Sequence, residues 1–338
     1  MAGLVRLRFL SWILFFHLFT TVLASPFVSS STPRLNLVPR ANFVLNNATG
    51  ELQVFNPTTR QPIPQGPATD GGGANFNIAA LIWVVFTFLV GLPMSFAGIR
   101  GWRFTTGVGI GLSGAVCSWA AFINSVNEVG VPDTILTAIV LAFFFLGFII
   151  GLFEFGRMGG LVTLGITGGI AVGIRIMTFK ENLLISGDSG FAVNWAIIAF
   201  LGILGGLAIA WPKTQRAGIL FASASVGTFL TFLGIDLVIN KQSGLSRGLR
   251  FLFDRNSSHI ADIILNGYKP PVSTQIMLGV SLALVPILAY TQHRVFRHPF
   301  SRKPRPDSEF GDSTVDLNEK ITEPTNRHFL AKMNRFSL

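Results

Sequence analysis

Seven apolar stretches of membrane-spanning length lie between Asn77 and Thr291, and most are joined by short turns. One helical crossing of the hydrocarbon core takes about 20 apolar residues. The spans fall at about Asn77–Ile99, Phe104–Ile123, Thr134–Phe153, Met158–Met177, Phe191–Trp211, Ala217–Ile239 and Ser273–Thr291. The expected fold is an all-α integral membrane protein with seven transmembrane helices. Only 12% of its 338 residues are charged, against about 25% in a soluble domain.

The turns set the expected orientation. Arg100-Gly101-Trp102-Arg103, Glu154-Phe155-Gly156-Arg157 and Pro212–Arg216 are tight and basic. Together with the stretch Gln292–Arg305 they hold ten Lys/Arg, whereas the loops Asn124–Asp133 and Phe179–Gly190 hold only Lys180. Lys/Arg excess marks the cytoplasmic side, so the N-terminus is expected outside and the C-terminus in the cytoplasm. The net charge of +10 is therefore largely topogenic. With no groove-reading or base-stacking element beside it, no nucleic-acid partner is expected. Arg294, Arg297, Arg302, Lys303 and Arg305 could meet anionic lipids of the cytoplasmic leaflet, or simply fix orientation.

Loop Asn240–Val272 departs from the charge rule, with five bases against two acids. Leu245, Leu249, Leu252 and Phe253 share one helical face, with Arg247, Arg250 and Asp254 on the other. A second short helix is expected over His259–Asn266, with Ser258 as cap and Gly267 as stop. The segment reads either as a helix lying at the outer interface or over the bundle mouth, or as a solvated loop.

Residues 1–24 read as a signal peptide: Arg6 and Arg8, an apolar run from Phe9 to Leu23, and small residues before Ser25. Residues 25–76 form a polar extracytoplasmic segment expected to be mostly disordered. Residues 77–291 form the membrane domain and 292–338 a basic, polar cytoplasmic tail. Asn47 and Asn256 head glycosylation sequons. Cys117 is the one cysteine, so neither a disulfide within the chain nor a thiolate metal cluster is expected.

Glycines recur at four-residue spacing, notably Gly107/Gly111, Gly165/Gly169/Gly173 and Gly202/Gly206. Small residues let membrane helices approach closely. Each of the first three basic turns is followed by a helix rich in small residues, suggesting three hairpins. Repeat ancestry and the shared demands of topology explain this equally.

Ionisable residues within spans are the first functional suspects. Arg175 and Asp236 are the two, both near the outer ends of spans four and six. They form a candidate intramembrane polar pair, or else each snorkels to the interface. Pro93 and Pro286 could mark broken helices at a transport site, although Pro is ordinary in membrane helices. Gly111-Leu112-Ser113-Gly114 matches the serine motif of rhomboid proteases, but no His lies in a later span to activate it. No catalytic, cofactor or metal residues are expected.

Two segments carry a resemblance. Phe96-Ala97-Gly98-Ile99-Arg100-Gly101-Trp102-Arg103-Phe104-Thr105-Thr106-Gly107 joins two spans through a Gly-aromatic-basic turn. Leu146-Gly147-Phe148 through Arg157-Met158-Gly159-Gly160 does the same for a later pair. The chain resembles, over about Asn77 to Thr291, the domain shared by transmembrane protein 198 and transmembrane 7 superfamily member 3. The leader, polar segment and tail are similar to those of fungal members. The resemblance implies no catalytic residues, and a link to signalling scaffolds through the animal members. The expected function is thus a non-enzymatic scaffold or receptor-like component of the plasma membrane or secretory pathway, with protein partners. The alternative is a channel or transporter using Arg175 and Asp236.

Overall fold

In a computed structural model, residues 42–45, 52–66, 69–73, 75–126, 128–186 and 188–296 are described. The expected signal peptide, Asn47 and the basic tail from Arg297 onward lie outside them. The chain divides into two units, Met1–Phe300 and Ser301–Leu338, and every described residue belongs to the first.

A short antiparallel hairpin comes first, with β1 (Asn42–Leu45) paired to β2 (Leu52–Phe55). The bundle follows as α1 (Ile78–Ala97), α2 (Trp102–Ser125), α3 (Asp133–Leu152), α4 (Arg157–Met177), α5 (Asp188–Ala210) and α6 (Gln215–Asn240). Two short helices, α7 (Leu245–Phe253) and α8 (Ile260–Asn266), precede α9 (Val272–Val295). Among the described residues seven helices are long and apolar enough to cross a membrane: α1 to α6 and α9. Local signals set their ends. The Asn77 side chain accepts from the Ala80 amide at 3.0 Å and caps α1. Pro132 and Pro271 immediately precede α3 and α9. Gly267, at φ +50°, stops α8.

Helices α1 and α9 run unbroken through Pro93 and Pro286. The broken-helix expectation is therefore corrected. Buried Gln292 of α9 holds the end of α1 instead, donating to Met94 O at 3.2 Å and Ser95 O at 2.6 Å and accepting from Ile99 N at 3.3 Å. These carbonyls have no partner within their own helix.

The close pairs are not the three hairpins suggested by the turns. Helices α1 and α2 barely touch, and α3 touches α4 little. The extensive packing joins α2 to α3, α4 to α5, and α1 to α6 across the bundle. Glycine explains each pairing. A Cβ on Gly111 would meet Phe144 O at 2.8 Å, and one on Gly151 would meet Gly107 Cα at 2.6 Å. Gly165 and Gly169 of α4 abut the backbone of Gly205 and Leu201 in α5, and a Cβ on Gly173 would meet Ile198 Cα at 2.9 Å. Gly202 and Gly206 receive the side chains of Ile170 and Ile166. Gly227 of α6 lies against Ser95 of α1. Dispersion at such close approach stands in for the hydrophobic driving force that lipid removes.

One end of the bundle, the turn face, carries the tight basic turns. There Trp102 lies under Arg103 and Arg157, at 5.3 and 5.5 Å from its ring centroid. The Thr106 hydroxyl donates to Gly151 O at 2.6 Å. The two resemblance-bearing segments thus meet in one patch. The other end, the loop face, carries α7, α8 and the loops. Part of the segment expected to be disordered packs here: Gly66 N donates to Ser258 O at 3.1 Å, and Gln65 Oε1 accepts from Ala261 N at 3.0 Å.

Candidate functional site

Arg175 is 1% exposed and does not snorkel. Its side chain points back along α4, as helical side chains do, and its guanidinium ends among α4, α6 and α9. Nε donates to Ser281 Oγ at 3.0 Å. Nη1 donates to Ala171 O and Ser225 Oγ, both at 3.3 Å, and Nη2 to Ser225 O and Thr228 Oγ1, both at 2.8 Å. Arginine has five N–H donors, and five neutral acceptors meet them. The three hydroxyls can accept because their own protons go to Leu278 O, Gly168 O and Ala224 O. Phe229 lies 5.2 Å from Cζ and adds its ring face to the cation.

Asp236 is equally buried. Oδ1 accepts from Thr274 Oγ1 at 2.6 Å and Asn240 Nδ2 at 2.8 Å. Oδ2 accepts from the Leu245 amide at the start of α7. A Cβ on Gly244 would strike this carboxylate, so glycine opens the approach to α7's N-terminus, where a negative charge is favoured. Asp236 thereby ties α6, α7 and α9 together. Arg175 and Asp236 flank the same cavity of about 10 Å³, room for about one water. They form no ion pair with each other, and each is satisfied by its own partners.

A larger cavity of about 200 Å³ lies between α1, α2, α4 and α6, backed by Val140 of α3. Its walls are mostly apolar, with Phe86, Leu112, Ile170, Phe229 and Leu230 among them. The wall hydroxyls are turned onto their own helices: Thr87 donates to Val84 O, Ser113 to Gly109 O and Thr167 to Leu164 O, all within 2.9–3.0 Å. Ser113, the serine of the rhomboid-like motif, is thus bonded to its own helix.

Loop-face residues wall one end of the cavity. Trp83 Nε1 donates to Gly71 O at 2.9 Å, and Trp119 Nε1 to Asp70 O at 2.7 Å. Asp133 and Gln242 hold Gly71 N and Gly72 O at 3.1 and 2.7 Å. Residues 69–73 are therefore pinned as a plug, and Asp70 is among the residues that line the cavity. Burial pushes that carboxyl above its usual range, against the charge of Arg250 and the amide of Gly72.

Helix α7 lies across the mouth, with Leu249 and Phe253 against the cavity. Its amphipathic reading is realised with the apolar face turned onto the bundle. Arg247 and Arg250 pair with Asp262 of α8 at 2.8 and 3.1 Å. Burial works to raise the Asp262 carboxyl, but hydrogen bonds from Arg247 and Asn266 and the charges of Arg250 and Arg247 outweigh it and hold it low. His259, also buried, places Nδ1 2.8 Å from Asp254 Oδ2. Asn256 is 8% exposed, its amide donating to Ile123 O at 3.2 Å and to Val126 O. Among the described residues, no group of three His, Cys, Asp or Glu side chains could hold a metal ion.

Sequence reasoning found Arg175 and Asp236 but missed the plug, the indoles that hold it, and Gln292. Tryptophans at the ends of two spans were the available signal, since a buried indole N–H needs an acceptor. A family model described as the TM7S3/TM198-like domain matches residues 84–293. No curated protein and no solved structure matches the chain.

Proposed function

This chain belongs to the TM7S3/TM198-like domain family, and from that premise we propose that it is a non-enzymatic scaffold or receptor-like component. It is an integral multi-pass membrane protein. We place it in the plasma membrane or a secretory-pathway membrane, with the basic turn face and the tail in the cytoplasm.

The observation that carries the reading is the saturation of Arg175: five donors on five protein acceptors leave none for a passing solute. Asp236 supports it by spending its carboxylate on α6, α7 and α9. Partners then dock on polar surface outside the bundle, and the basic tail is the stretch that the proposed orientation puts in the cytoplasm. Deleting Ser301–Leu338 should release partners recovered by pulldown; retention of every partner would refute tail docking.

The small cavity flanked by Arg175 and Asp236 favours a second reading, as a channel or transporter. Liposomes carrying wild type or Asp236→Asn separate the two. Solute or ion flux that the substitution abolishes would establish transport, and no flux across a broad panel would remove it.

A further inference from the structure

We propose that the central cavity holds one hydrocarbon chain of a single-chain membrane amphiphile, whose hydroxyl head donates to the Asp70 carboxylate at the loop face. The inference is independent of what docks on the tail.

Three observations carry it. The first is the space itself. At about 200 Å³, it is somewhat larger than a 150 Å³ apolar cavity that stays dry and binds benzene. It has room for one slender chain and not for a two-chain phospholipid.

The second is the scarcity of donors for water. A buried water needs two to four polar partners. Thr87, Ser113 and Thr167 spend their hydroxyl protons on their own helices and offer only acceptor oxygens, and both indole N–H groups are held by the plug. The middle of the cavity therefore favours hydrocarbon, which surrounds these helices in a membrane. Val116 lines the space and is 39% exposed.

The third is the polar end. Asp70 Oδ1 accepts from Gly72 N at 2.8 Å, and no described residue donates to Oδ2. Ser246, beside it on the cavity wall, donates to Gln242 Oε1 at 2.8 Å. The charged acceptor at this end is thus a carboxylate oxygen. It selects a donor head and repels a carboxylate head. Arg250, whose charge acts on Asp70, disfavours an amine head.

The test uses the full chain in phosphatidylcholine vesicles. It is photolabelled with a long-chain primary alcohol carrying a terminal diazirine, with the matched carboxylic acid and the matched amine as further arms. Labelled residues are mapped by peptide mass spectrometry. The alcohol should mark cavity-wall residues such as Val116 and Phe229, about tenfold more than the acid. Val116→Trp should fill the space and abolish that labelling. Asp70→Ala, at the rim and free of any packing clash, should lower it about tenfold, the loss of one hydrogen bond to a charged group. Alcohol label confined to lipid-facing residues such as Leu89 and Phe200 would overturn the proposal. So would cavity labelling unchanged in Asp70→Ala, or acid or amine labelling stronger than that of the alcohol. Should Val116→Trp fail to fold, the Asp70→Ala and head-group arms still decide.

Discussion

Arg175 is a cation buried without an anion, and its five neutral acceptors are geometry that only a guanidinium fits. Lysine keeps the charge but has three donors on a single nitrogen. Arg175→Lys should therefore leave buried acceptors unmet between α4, α6 and α9, and cost about 1–3 kcal/mol. Thermal unfolding of the detergent-purified protein, followed by the monodisperse fraction, measures this; an unchanged midpoint would mean that the network contributes nothing. Asn256 carries a residue-scale prediction of another kind. Its amide nitrogen, the atom that would bear a glycan, donates to two backbone carbonyls. Asn256→Gln should thus leave any glycosidase-sensitive mobility shift unchanged. The sequence showed the sequon and the lone arginine but not their environments. Burial and hydrogen bonding at these positions come from helices distant in the chain, and no local pattern encodes them.

Between elements, glycine decides which helices meet. A Cβ on Gly169 would enter the backbone of Leu201 and Gly202 in α5, whereas one on Gly279 of α9 meets nothing within 4 Å. Gly169→Ala should lower stability by about 1–3 kcal/mol, and Gly279→Ala should leave it level or slightly raised. Paired thermal melts test the contrast. The glycine spacing was legible in the sequence, since period four marks one helix face. The partner of each face was not. Chain neighbours looked like hairpins, but α1–α2 and α3–α4 touch little, α5–α6 touch moderately, and the most extensive pairs form across α2–α3, α4–α5 and α1–α6. The α7–α8 lid responds to pH through Asp262. Its folded pKa lies below the ordinary 3.8, so its contribution is present above that value and is lost as pH falls through the folded pKa. Hydrogen exchange across residues 245–266 should quicken below about pH 3.8, and Asp262→Asn should remove that acid step while leaving the lid looser at neutral pH. Asp70 carries the opposite sign. Its raised pKa means that protonation favours the plug, so Asp70→Asn should slow exchange in residues 69–73 at neutral pH.

For the whole molecule, the apolar runs revealed class and span count because the bilayer fixes helix length. Orientation rests on a separate physical fact, the Lys/Arg bias of the turns. Those bases also have a structural use: Arg103 and Arg157, from different turns, both lie over Trp102 and brace the turn face. Two of the five bases in loop 240–272, Arg247 and Arg250, are paired with Asp262 and belong to the lid. Counting charge without its partners made that loop look anomalous. The proposed orientation predicts which side each face presents. With one cysteine in the chain, Cys117→Ser provides a background in which Ser257→Cys reports the loop face alone. In sealed microsomes, cytoplasmic side out, a membrane-impermeant maleimide should fail to label Ser257→Cys until detergent is added. A tag after Leu338 should be removed by added protease without detergent. Labelling of intact vesicles together with a protected tag would invert the orientation while leaving the bundle as described. It would also move the docking surface from the tail to the lid, because the face bearing α7 and α8 would then meet the cytoplasm.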